Sequence, residues 1–172
     1  MPDGQGRLSY LVHQRSRVVR ERLDEALLDD VLGSDWRDRP AETLIAETCR
    51  AMERWPETAR AYESLARRDA KPARAWFRAG SSWRRAGEPE RAIPALKRAW
   101  DMEPSGAESA YALAVAHATA GETAQGLDWL ARALDSNLEE PERIEEDAGL
   151  APLRGEPRFK TRVATVRTRP SA

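Results

Sequence analysis

The feature that most constrains this chain is an internal repeat. Residues 83–92, Trp-Arg-Arg-Ala-Gly-Glu-Pro-Glu-Arg-Ala, superpose on residues 117–126, His-Ala-Thr-Ala-Gly-Glu-Thr-Ala-Gln-Gly, at a shift of 34. The same shift carries Gly87 onto Gly121, Glu88 onto Glu122, Leu96 onto Leu130 and Ala99 onto Ala133, and it sets Ala114 against Gly80. A period of this length describes units that bury their apolar faces only against their neighbours in a stack. Each unit reads as two short helices. Trp76, Ala79, Gly80 and Trp83 have helical spacing, as do Ala92, Leu96, Ala99 and Trp100. Gly87 lies between them as a left-handed stop, Pro89 suits the first turn of the second helix, and Pro104 ends it.

Taken in order, Trp76, Ala79-Gly80, Trp83, Gly87, Ala92, Leu96, Ala99 and Pro104 resemble the tetratricopeptide repeat. The next unit keeps the small and leucine positions but has His117 where an aromatic is usual, Gly126 where alanine is usual and Leu138 in place of the closing proline. An upstream unit is degenerate. Ile45, Cys49 and Met52 form one stripe, Pro56-Glu57 a turn, and Ala59, Tyr62 and Ala66 a second stripe. Its register against the next unit reads as 31 or 33 residues, according to which helix is aligned, which predicts a shortened turn.

The resemblance implies an all-α fold, an α–α superhelix of about three helix pairs. Residues 1–40 are expected to be an N-terminal helical segment, residues 41–138 the repeats (41–72, 73–106 and 107–138), and residues 139–172 a cap and frayed tail. The N-terminal stripe from Leu8 to Leu32 begins the stack, and Gly33-Ser34-Asp35 breaks it. At the other end, residues 150–159 resemble the segment that closes bacterial proteins of this family. Leu150, Leu153, Phe159, Val163 and Val166 can cover the open end of the stack.

Elements of catalysis are sparse. The chain has no His-Glu-x-x-His, Gly-x-Ser-x-Gly, phosphate-cradling Gly-x-x-x-x-Gly-Lys or Gly-x-Gly-x-x-Gly motif. One cysteine and two histidines among 172 residues leave no disulfide framework and no multi-cysteine metal site, so neither catalytic residues nor a cofactor or metal is expected. Cys49 with His13 or His117 could form a nucleophile and base. Simple burial of Cys49, and packing of His117 against the adjacent helix, are the competing readings. The acidic run from Glu139 to Asp147 reads as a solvated loop and short helix, and the basic cap from Arg154 to Arg169 as its possible counterpart. No apolar run spans a bilayer and no signal core follows Met1, which points to a cytoplasmic protein away from membranes. Arginine outnumbers lysine 25 to 3, the bias of a GC-rich bacterial coding sequence.

A net charge of -1 excludes a uniformly basic nucleic-acid binder. Arg7, Arg15, Arg17, Arg20 and Arg22 leave a nucleic-acid-associated regulator as the alternative, though no aromatics interleave them. What the resemblance implies is a non-catalytic interaction module or adaptor. In stacks of this kind the first helix of each pair lines the concave face, which here presents Arg74, Phe77, Ser81 and Arg84 from one unit and Glu108, Tyr111 and Val115 from the next. Phe77 and Tyr111 are 34 apart and so are expected side by side, as an exposed floor or packed beneath a terminal helix. The family's clamp for a terminal carboxylate is not reproduced, since Phe77 and Ser81 stand where its lysine and asparagine would be. Arginine and aromatic side chains dominate binding hot spots, so the expected partner is a protein or peptide with an apolar anchor and an acidic residue. Exposed apolar residues between Leu8 and Leu32 would be the place for self-association.

Overall fold

The computed structural model describes residues 41–69, 71–104, 106–136, 138 and 143–167. The N-terminal segment, with its arginines and its self-association stripe, and the tail beyond Arg167 lie outside the described residues. The architecture is all-α. Helices α1 (Ala41–Ala51) and α2 (Trp55–Ala66), α3 (Ala73–Arg85) and α4 (Pro89–Met102), and α5 (Ala107–Thr119) and α6 (Thr123–Asp135) form three pairs. They are followed by one turn of helix, α7 (Arg143–Glu146), a 3-10 segment (Ala148–Leu153) and α8 (Pro157–Arg167). Each helix of the three pairs packs on the next in sequence, the 3-10 segment packs on α5 and α6, and α8 packs on α6.

The three pairs turn in the same way. Glu53, Gly87 and Gly121 have φ of 54, 74 and 80°, and they are spaced 34 residues apart. In each turn the N–H three residues past the helix donates to a carbonyl five residues back: Arg54 to Cys49, Glu88 to Trp83 and Glu122 to His117, at 2.8 to 3.0 Å. These are Schellman stops, in which a left-handed residue lets the chain satisfy the orphaned carbonyls of the helix end. The first pair is therefore in full 34-residue register, and the expected shortened turn is not there. The expected turn at Pro56-Glu57 is the first turn of α2, where proline needs no N–H. The expected stripe of α1 is also displaced, because Leu44, Ala46 and Thr48 are buried, Cys49 is half-buried and Met52 is exposed.

In register, Ala46, Gly80 and Ala114 are equivalent, as are Tyr62, Leu96 and Leu130, and all six are buried. The small residue lets the two helices of a pair come close. A Cβ on Gly80 would lie 2.5 Å from Leu96 Cγ and 3.1 Å from the Ala92 carbonyl. Tryptophans are the larger anchors, and arginines cover four of them. Arg91 and Arg60 lie over Trp83, Arg98 over Trp76, Arg85 over Trp55 and Arg132 over Trp129. A guanidinium can stack on an indole while its rim stays in water, which lysine does less well. Trp83 also donates from Nε1 to Glu63 of α2 at 2.7 Å, tying the second pair to the first.

Helix α5 differs from the other described helices in being buried all round, with every residue from Ser109 to His117 buried and Ala118 with them. Apart from Ser109 and His117 that run is apolar or carries only the Tyr111 hydroxyl, the composition of a helix with neighbours on every side. The Schellman geometry makes a specific demand on Glu53, which adopts a conformation that costs a residue with a Cβ roughly 1 to 2 kcal/mol. Glu53→Gly is expected to raise stability by about 1 kcal/mol and Gly87→Ala, with open space around it but φ of 74°, to lower it by a similar amount, both read from urea unfolding midpoints.

Candidate functional site

An open cavity of about 410 Å³ lies between α3, α5 and the C-terminal segment. Helix α3 supplies Phe77, Ser81 and Arg84, α5 supplies Glu108, Tyr111 and Ala112, and the C-terminal segment supplies Arg143, Glu146 and Asp147. Five of the residues expected on the concave face, Phe77, Ser81, Arg84, Glu108 and Tyr111, thus share one lining. Arg74 is exposed on the first turn of α3 and does not reach it. Val115 is fully buried, so it offers nothing to a partner. Gly149 of the 3-10 segment sits directly on it, and a Cβ at that position would overlap Val115 Cγ1.

The C-terminal segment makes the third wall because α5 holds it there. Tyr111 donates its hydroxyl to Asp147 Oδ2 at 2.7 Å, and Asp147 Oδ1 accepts from the Gly149 N–H at 2.8 Å, capping the 3-10 segment. The Arg143 guanidinium lies 4.5 Å from the centre of the Tyr111 ring and pairs with Glu108 at 2.6 Å. Tyr111 is therefore packed beneath the C-terminal segment, while Phe77 is half-buried between two parts of the core. Residues 143–147 belong to a run that composition alone marks as solvated, and its last residues prove to be a structural wall.

Among the described residues three arginines of the basic cap meet other groups than the carboxylates of that run. Arg158 meets Asp128 and Arg162 meets Asp135, both on α6, while Arg154 donates to the backbone carbonyl of Asp147. The nucleophile and base pairing of Cys49 with His117 is not assembled either. His117 is buried, with Nδ1 bonded to Glu122 and Nε2 without a partner, and Cys49 lies two helix pairs away on α1. Among the described residues no group of three His, Cys, Asp or Glu side chains could hold a metal ion, and no helix is long and apolar enough to cross a membrane.

Burial first, and then the bond to the Asp147 carboxylate, hold the Tyr111 phenol above the ordinary tyrosine range, against the opposing charges of Arg143 and Arg84. A folded pKa above the unfolded one gives stability that is complete below the unfolded value and is lost as pH rises through the folded one. The Tyr111–Asp147 bond accordingly holds through neutral pH and releases in alkali, and absorbance titration should find this tyrosine ionising above the ordinary range. Tyr111→Phe is expected to cost roughly 1.5 to 3 kcal/mol of unfolding free energy, the range for a hydrogen bond to a charged acceptor.

One tetratricopeptide repeat family matches residues 45–99 and a second matches residues 84–144. No curated protein matches the chain. The two matched ranges together run from within α1 to α7, the part of the chain that carries the three helix pairs and their Schellman stops. Repeats of this kind mediate protein–protein interactions. The chain belongs to the tetratricopeptide repeat family.

Proposed function

We propose that this protein is a non-catalytic adaptor that binds a segment of a partner protein in the groove between α3, α5 and residues 143–147. The observation that carries the reading is the convergence of Phe77, Ser81 and Arg84 with Glu108 around one open cavity of about 410 Å³. Phe77 is half-buried and supplies an apolar surface at the groove. Arg84 supplies a cation with no ion-pair partner among the described residues, so a partner with an apolar anchor and an acidic residue has somewhere to place both. Tyr111 supports the wall more than it meets the partner, since its hydroxyl is engaged by Asp147. The binding unit in this reading crosses residue 138, joining the repeats at 41–138 to the first part of the cap.

The test is a selection from random dodecapeptides displayed on phage. Peptides rich in large apolar residues should be enriched, and Ser81→Trp, which fills the groove without removing a core side chain, should weaken their binding at least tenfold, about 1.4 kcal/mol. Lys97→Trp, at an exposed position on α4, should leave binding unchanged. Binding that survives Ser81→Trp contradicts the reading, as does a selection that enriches nothing.

A further inference from the structure

Five ionisable side chains other than the Tyr111 phenol line the groove, and they do not stand equally open to a ligand. Arg143 and Glu108 neutralise each other at 2.6 Å. Asp147 has both oxygens engaged, one by the Tyr111 hydroxyl and the other by the Gly149 N–H. Two charges remain. Arg84 on α3 has no ion-pair partner among the described residues, and its Nε is buried without an acceptor. Glu146 on α7 is exposed and likewise makes no ion pair among the described residues. One is a cation on the first repeat helix of the groove, the other an anion on the C-terminal wall, with Phe77 and Ala112 as apolar lining.

We infer that the groove is bipolar and takes a partner segment in which an acidic and a basic residue flank an apolar one. This rests on the groove reading above and adds a basic residue to the expected apolar anchor and acidic residue. A run of acids would satisfy Arg84 but meet Glu146 and Asp147, and a run of bases would meet Arg84. Like charges across an interface penalise the wrong partner as strongly as opposite charges favour the right one. The two sites are unequal. Arg84 is half-buried, so part of its desolvation is already complete, and a carboxylate can engage its planar guanidinium through two parallel bonds. Glu146 is exposed, where a single ion pair contributes little. The acidic residue of the partner should therefore carry more of the affinity, and the basic one should set the direction in which the segment lies.

The experiment uses the dodecapeptides selected on the full chain and measures their binding by fluorescence polarisation to wild type, Arg84→Glu, Arg84→Gln and Glu146→Lys. The enriched peptides should carry both signs of charge about an apolar residue. Arg84→Glu should weaken binding about tenfold and Glu146→Lys roughly threefold. Each loss should be recovered by reversing the matching charge in the peptide. Arg84→Gln, which removes the charge without introducing a new one, should show an intermediate loss, and circular dichroism melts confirm that each variant is folded. If Arg84→Glu does not fold, the Arg84→Gln result decides the cation's part. Uniformly acidic enriched peptides, or charge variants that bind as wild type does while Ser81→Trp abolishes binding, overturn the bipolar inference and leave the groove reading standing. Indifference to Ser81→Trp as well removes both.

Discussion

Everything in this structure depends on the reversal between the two helices of a pair. One residue with positive φ ends the first helix, and the N–H after it reaches back five residues to a carbonyl. That reversal recurs at Glu53, Gly87 and Gly121, and in each pair a small buried residue, Ala46, Gly80 or Ala114, is matched by a large buried one, Tyr62, Leu96 or Leu130, with Leu96 packed directly on Gly80. The pairs are thus alike in geometry even where their sequences differ. Stacking alike pairs brings Phe77 of one first helix near Tyr111 of the next, and a groove follows from the repetition itself.

The two later pairs were legible in the sequence because glycine marks both reversals and leucine both contacts. The first pair was obscured by substitutions at its markers. Cys49 stands in the place of Trp83, Glu53 in that of Gly87 and Thr58 in that of Ala92, so the sequence carries no marker of the true register. Only the backbone shows that Glu53 performs the glycine's role, at some conformational cost. Val115 was misplaced for a different reason. Treating α5 as the equivalent of α3 makes residue 115 the counterpart of Ser81, yet α3 carries arginines and Ser81 outside its buried stripe where α5 has almost continuous alanine, valine and leucine. A helix so nearly apolar through its middle turns needs a cover over them, and the C-terminal segment supplies it.

The cover is what gives the groove its chemical character. Without residues 143–153 the face of α5 would expose Tyr111 and Val115 as an apolar strip. With them, Val115 is sealed, Tyr111 becomes a tether, and the wall gains Arg143, Glu146 and Asp147. Charge composition located these residues but could not assign them, since a carboxylate in a loop and one accepting a buried phenol look alike in sequence. The abundant arginines divide in the same way. Several lie across tryptophan faces as part of the fold, whereas Arg84 lines the groove without an ion-pair partner among the described residues.

The central claim is that the C-terminal segment is a fixed wall closed onto α5. Native-state hydrogen exchange tests it most directly, because the amides of Gly149 and Leu150, bonded to Asp147, report on the segment while those of α5 report on the core. If the wall is fixed, both sets open together with the same free energy. Rapid exchange of the amides at 149 and 150 beside slow exchange in α5 would mean the segment leaves the stack on its own, and the groove would then have no third side.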